Sequence, residues 1–315
     1  MRKRIVTVVV IIVIIIVALF AFISWYQQNL SGTDNLGLLL ETSTCTIQTN
    51  VAYLNDSNPY HLMDVYLPSG TGPFPAIIYI HGGGWVEGNR SDFSEIAELY
   101  AKRGIAGFSI SYTLASSNQS AWPQNIEDTI SALTYIRENA ELYHIDTERI
   151  AVMGSSAGAQ LASLVGTLSG NESFLNNPAL NGTIHSQICL VINYDGVVDL
   201  EFVGQNQTEN LSLLNDIVSS QFGGVTYSEN PQLWKEASPV TYISATDPLF
   251  VFVHGTGDRI VPIQVAQSFN TKLQAAGVQT RFIQIDGDHD ILTNEAMNLQ
   301  ARYTLEPIMK TVLGL

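Results

Sequence analysis

The sequence predicts an α/β fold: a mainly parallel central sheet with helices on both faces and small cap or loop insertions, preceded by one N-terminal transmembrane helix. Three observations carry this expectation. Short β-type runs alternate with helical stretches from about residue 45 onward, and strands separated by helices of roughly 10 to 15 residues pair in parallel beneath two helical layers. The run Gly154-Ser155-Ser156-Ala157-Gly158 stands between an apolar strand and a helix, the setting of a strand-turn-helix nucleophile motif. Ile5 to Tyr26 is an apolar run interrupted only by Thr7 and Ser24, long enough as a helix to cross a hydrocarbon layer of about 30 Å.

In chain order, residues 1–26 read as a membrane anchor. Arg2, Lys3 and Arg4 precede the apolar run, while Gln27, Gln28 and Asn29 follow it without charge. The positive-inside rule therefore puts the N-terminus in the cytoplasm and the rest of the chain outside. The run is longer than the roughly 7 to 15 apolar residues of a secretory signal. Ala18 and Ala21 are poorly spaced for cleavage, which favours a retained anchor over a secreted product. Residues 27–44, polar and Gly-containing, read as a stalk. Residues 45–315 read as one catalytic domain.

Within that domain, Thr46 to Leu54 and Leu62 to Leu67 predict an antiparallel edge hairpin joined at Asn55 to Pro59. Ala76 to Ile80 reads as a buried strand, Asp92 to Lys102 as an amphipathic helix, Ile105 to Ser111 as a strand and Asn125 to Asn139 as a helix. Ile150 to Met153 and Ala157 to Leu168 are the strand and helix around the serine motif, followed by the strand Ile188 to Asn193. Leu249 to Val253, Ile263 to Ala276, Thr280 to Ile285 and Asn294 to Leu313 complete the alternation as strand, helix, strand and closing helix. Gly170 to Ser186 and Leu200 to Gln232 break it and read as loops or a small cap.

Composition narrows the function classes. With 315 residues, 46% hydrophobic and 14% charged, the chain has material for a large core. A net charge of -15 and no Lys/Arg cluster beyond residue 4 argue against nucleic acid as a partner. Cys45 and Cys189 are the only cysteines and show no CxxC or Cys/His spacing, so neither a zinc module nor a disulfide scaffold is expected, and whether the two pair is open. Cys189 lies in the apolar run Ile188 to Ile192 and reads as a buried, inert thiol. Eight Asn-x-Ser/Thr sequons, at Asn29, Asn55, Asn89, Asn118, Asn171, Asn181, Asn206 and Asn210, follow the anchor and suit an exported glycoprotein.

The chemistry starts at Ser156. A turn tight enough to present its hydroxyl needs Gly154 and Gly158 beside it, and the dipole of the following helix favours developing negative charge. His81-Gly82-Gly83-Gly84-Trp85 follows the strand Ala76 to Ile80. There the N–H groups of Gly83 and Gly84, with that of Ala157, are the expected oxyanion donors. His81 reads as a loop brace, and Trp85 and Ser155 as pocket wall. Serine needs a base and the base an acid. Asp258 follows the strand LFVFV and His289 the strand RFIQI, giving the order Ser, Asp, His of the α/β-hydrolase fold. Asp288 and Asp290 flank His289, but a sequence neighbour is poorly placed to reach the same imidazole. His61, His144, His185 and His254 read as structural or solvated. No metal or cofactor is expected.

At these residues the chain resembles the hormone-sensitive-lipase-like and bacterial feruloyl-esterase-like carboxylesterases over roughly residues 46–315. Ser111-Tyr112-Thr113-Leu114-Ala115, Trp122-Pro123-Gln124 with Asp128, Asp146-Thr147-Glu148-Arg149-Ile150 and Ala237-Ser238-Pro239 carry the resemblance beyond the triad. Thr113 replaces a usual Arg, Ser155 a common Asp and Ala159 a frequent Gly. HGGGW and the lack of a long N-terminal cap lean toward the feruloyl-esterase-like branch, which implies esters of small acids or decorated polysaccharides. The expected activity is a serine carboxylesterase on small-molecule esters. Two readings stand beside it: an amidase, formamidase or peptidase on the same triad, and a non-catalytic receptor or adhesion domain, against which the intact Ser, Asp and His argue. No pattern sets an oligomeric state.

Overall fold

A computed structural model describes residues 44–117, 119–168, 188–206 and 208–315. The expected anchor, nearly all of the stalk, the insertion Gly170 to Ser186 with His185, and the sequons at Asn29, Asn118, Asn171 and Asn181 lie outside these residues. Among the described residues no helix is long and apolar enough to cross a membrane.

Among the described residues eight strands form one sheet: β1 (Cys45–Ala52), β2 (Leu62–Pro68), β3 (Phe74–Ile80), β4 (Ala106–Ile110), β5 (Ile145–Ser155), β6 (Ile188–Tyr194), β7 (Leu249–Gly255) and β8 (Thr280–Ile285). Their order is β1-β2-β4-β3-β5-β6-β7-β8. The β1/β2 and β2/β4 pairs are antiparallel, and every pairing from β4 through β3 to β8 is parallel. The edge hairpin is thus where alternation placed it.

Helices on both faces explain the strand composition. Ala76 to Ile80 on β3 and Phe250 to Val253 on β7 are all fully buried, as strands covered on two sides must be. Helices α1 (Ser94–Ala101), α2 (Gln124–Glu138), α3 (Ala140–Tyr143) and α4 (Ala157–Leu168) follow the first strands. The predicted helix at 92–102 begins as a 3₁₀ turn, Arg90–Phe93, closed by a capping box between Asn89 and Asp92. Every residue of α4 is buried. Its Leu161, Leu164, Val165 and Leu168 each contribute roughly 1.5–3 kcal/mol by leaving water.

Several resembling motifs prove to be fasteners. Asp128 is fully buried and accepts from Thr113 N at 2.8 Å and from Gln124 Nε2 at 2.8 Å, joining the end of β4 to α2. Arg149 donates to Asp146 Oδ2 at 2.8 Å and to Pro73 O at 2.9 Å, tying β5 to the start of β3.

The stretch Leu200 to Gln232 folds as a small helical cap rather than loop: α5 (Leu200–Gln205), a 3₁₀ turn at Glu209–Leu211, α6 (Ser212–Gln221) and α7 (Pro231–Glu236). Side-chain N-caps start two of these helices, Asp199 accepting from Phe202 N at 3.0 Å and Asn230 from Leu233 N at 3.2 Å. Helices α8 (Ile263–Ala275) and α9 (Glu295–Leu313) complete the fold, the latter capped by Asn294.

Sheet register positions the site. Ile80 pairs with Gly154, Gly154 with Asn193, and Asn193 with Phe252, so the carboxyl ends of the middle strands stop together. The loops beyond them share one edge of the sheet, where open α/β sheets build their sites.

Candidate active site

Ser156 occupies the turn between β5 and α4 with φ at +53°, a left-handed conformation that costs a non-glycine residue free energy and marks functional turns. Close packing enforces it. A Cβ on Gly154 would lie 2.2 Å from Gly158 O, and one on Gly158 2.1 Å from Ile80 O, so neither position tolerates a side chain. Ser156 N donates to Tyr194 O at 2.8 Å, and Ser156 O accepts from Ala159 N at 3.0 Å, which opens the helix.

His289, on the loop after β8, brings Nε2 to 3.0 Å from Ser156 Oγ. Its Nδ1 lies 2.7 Å from Asp258 Oδ2. Asp258, on the loop after β7, is held from its other oxygen by Ile260 N at 2.9 Å and Val261 N at 2.8 Å. Burial acts to raise the Asp258 carboxyl, but hydrogen bonds from His254, His289 and Val261 N and the charge of His289 outweigh it and hold the group well below its usual range. For His289 burial acts to lower the imidazole. The Asp258 hydrogen bond and the charges of Asp258, Asp195 and Asp288 reverse this, leaving it above the ordinary 6.5.

Of the neighbouring acids, Asp288 is engaged elsewhere. It accepts from Arg259 Nε at 2.8 Å and from the His289 backbone N–H at 2.9 Å, so it orients the loop. Asp290 enters a turn ahead of α9, where its backbone carbonyl accepts from Thr293 N and Asn294 N, while the carboxylate that meets His289 Nδ1 is that of Asp258. His61 bridges Asp56 and Asp128 at 2.7 and 3.1 Å, and His144 is the left-handed C-cap of α3. His254 donates from Nε2 to Val261 O at 2.8 Å and lies 3.4 Å from Asp258 Oδ2, bracing the acid loop. His81 is buried, stacks on Tyr112 with ring centroids 4.3 Å apart, and accepts from Tyr112 Oη at its carbonyl. Cys45 and Cys189 are unpaired, and burial pushes the Cys189 thiol up to about 11.

Gly83 and Gly84 adopt φ of +104° and +58°. A Cβ on Gly83 would lie 2.2 Å from Glu87 O, so the loop can turn this tightly only with glycine there. A cavity of about 380 Å³ opens between this loop and the β5–α4 turn. Gly83, Gly84, Trp85, Ser155, Ser156 and His289 all line it. Ala157, 1% exposed, stands behind them as the first residue of α4.

Two contributors went unread in the sequence. Leu214 and Ile217 of α6 line the cavity, from a stretch that reads as loops or a small cap without singling out either residue. Asp195, one residue beyond β6, is 1% exposed, takes φ +51° and accepts from Gly255 N at 3.0 Å. Burial lifts its carboxyl to about 6 despite the opposing pull of His254, the Gly255 N–H and His289. Its position after an apolar strand was the available signal. Asp195, Asp258 and His289 bring one donor atom each within 4.8 Å of one another, a grouping that could hold a cation. Both imidazole nitrogens of His289 already face Asp258 and Ser156, so metal there would displace that chain of hydrogen bonds.

A mostly parallel sheet with serine after β5, a carboxylate after β7 and histidine after β8 defines an α/β-hydrolase-type fold. Within that class, the chain belongs to the BD-FAE family, whose pattern matches residues 63–273. It is 28% identical over 239 residues to Esterase LipC of Mycobacterium tuberculosis, covering 74% of this chain and 57% of that protein. Esterase LipQ of the same organism is 31% identical over 227 residues, 70% of this chain and 51% of its own length. The chain therefore spans about half the length of these curated relatives. Among solved structures, a truncated carbohydrate esterase from gut microbiota is 25% identical with a TM-score of 0.69, covering 86% of this chain and 99% of that one.

Proposed function

We propose that this chain is a serine carboxylic-ester hydrolase acting on short acyl esters, including esters carried on carbohydrate. The observation that carries the reading is His289 standing between Ser156 Oγ at 3.0 Å and Asp258 Oδ2 at 2.7 Å. His289 Nε2 takes the Ser156 hydroxyl proton as Oγ attacks the ester carbonyl. Asp258 holds the Nδ1–H tautomer and stabilises the imidazolium that forms. The N–H groups of Gly83, Gly84 and Ala157 receive the oxyanion, where loss of one such donor lowers the rate by about 10²–10³. His289 then returns the proton to the leaving alcohol. Water, deprotonated by the same imidazole, attacks the acyl-enzyme; as the tetrahedral adduct collapses the Oγ–acyl bond breaks, His289 returns the proton to Ser156 Oγ, and the acid leaves.

The cavity of about 380 Å³, with Trp85, Leu214 and Ile217 in its lining, suits a short acyl group. The likeness to the gut carbohydrate esterase supports a sugar-borne ester. The apolar run at Ile5 to Tyr26, with basic residues only before it, supports an anchored enzyme working outside the membrane. Exposed Asn55, Asn89 and Asn210 are open to glycosylation in such a compartment.

The full chain, purified in detergent, is expected to hydrolyse p-nitrophenyl acetate and butyrate, and Ser156→Ala to lose about 10⁴-fold or more in kcat. Equal rates in the two proteins would remove the assignment.

A further inference from the structure

Gln160 lies one helical turn beyond Ser156 on α4 and is fully buried. A buried side-chain amide costs free energy unless its polar atoms are partnered. Both ends of this one are. Its Oε1 accepts from Trp85 Nε1 at 3.0 Å, and its Nε2 donates to Ala237 O at 2.7 Å.

Trp85 is unusual on its own account. It is fully buried, yet its φ is +62°, a conformation that a bulky residue keeps only when its surroundings over-determine it. Its carbonyl accepts from Ala115 N at 2.7 Å, and its indole N–H goes to Gln160. Trp85 directly follows Gly84, so the peptide planes of Gly83 and Gly84 turn with its backbone. The Ala237 end of the clamp reaches the cap: Ser238 Oγ donates to Trp234 O at 2.8 Å and accepts from Glu201 N at 3.1 Å.

We infer that Gln160 is a positioning residue for the oxyanion loop. By clamping the Trp85 indole to the helix that carries Ser156, it references nucleophile and oxyanion donors to one rigid element. The inference rests on the ester-hydrolase reading above. With the clamp gone, the strained Trp85 backbone relaxes and carries the Gly83 and Gly84 N–H groups off the developing oxyanion. Bound ester is scarcely affected, because those donors matter most in the transition state.

A double-mutant cycle on the full chain tests this, with Gln160→Leu, Trp85→Phe and the double variant assayed on p-nitrophenyl butyrate well below their melting temperatures. Each single variant is expected to lose about tenfold or more in kcat, short of the 10²–10³ of a deleted donor, with KM within about twofold of wild type. The double variant is expected to fall no further than the worse single one, since both delete the same hydrogen bond. Affinity for a trifluoromethyl ketone, whose adduct carries the oxyanion, should fall in step with kcat/KM. Folded single variants with wild-type kcat, or a double variant whose loss is the product of the two singles, would overturn the inference. If Gln160→Leu does not fold, Trp85→Phe with the ketone decides alone, since it removes the same donor and keeps an aromatic ring. A wild-type chain inert toward esters sinks the activity reading instead, so the two failures are told apart.

Discussion

At the residue scale, the proposed mechanism makes His289 both the base and the group that sets the pH range. Its imidazole sits above 6.5 because the Asp258 hydrogen bond and the surrounding carboxylate charges outweigh burial. Only the neutral form can accept the Ser156 proton, so kcat/KM is expected to rise with pH through a midpoint above 6.5. Asp258→Asn removes the largest raising contribution and frees the wrong tautomer. Its midpoint should therefore drop and its kcat fall by about 10⁴, measured as pH–rate profiles of the two proteins. A variant profile that overlays the wild type would remove Asp258 from the role. Ser156, Asp258 and His289 were legible in the sequence because each follows a recognisable strand in a short glycine-marked turn. Asp195 was not, since Tyr194-Asp195-Gly196 carries no pattern that separates a site carboxylate from a turn former.

At the scale of elements, α6 is the one that shapes the pocket. Leu214 and Ile217 project from it into the cavity, and Ile217 Cγ2 would lie 3.2 Å from a Cβ on Gly84. Ile217→Ala opens the wall beside the oxyanion loop. The octanoate-to-acetate ratio in kcat/KM should rise about tenfold, as the larger pocket admits methylenes worth roughly 1–3 kcal/mol each; an unchanged ratio would mean that α6 does not bound the acyl chain. This helix escaped the sequence reading for a physical reason. The cap helices run 6 to 10 residues among Asn, Gln and Ser, too short for periodicity to emerge and stable only through tertiary packing. The caps at Asp199 and Asn230 were the available signals. By contrast α4 and α9, at 12 and 19 residues, were read to within a residue.

Across the whole molecule, α9 is fastened to the end of α1 and to β5. Glu306, fully buried, pairs with Arg103 at 2.9 Å and with Arg302 at 2.5 Å. Arg302 also sits 6.0 Å over the Tyr100 ring, and Arg149 donates to Leu313 O at 2.9 Å. Glu306→Ala leaves two largely buried guanidinium groups without their shared carboxylate, a loss of about 3–5 kcal/mol. The melting temperature is expected to fall by roughly 10 °C, while kcat at 25 °C holds, because none of these groups lines the cavity. A melting temperature within a degree or two of wild type would show that the network adds no net stability.

The sequence by itself determined which residue types stand where: the strand and helix succession, the glycine-bounded serine, and an acid and a histidine each just past a strand. These follow from backbone sterics and from hydrophobic periods spanning a few residues. Tertiary structure alone decided that His289 reaches Ser156 across 133 positions of chain, that Asp195 stands behind them, and that Gln160 holds Trp85. Those distances are set by strand register and by the packing of cap and helix against the sheet, which couple residues far apart in the chain and leave no mark in any local run of sequence.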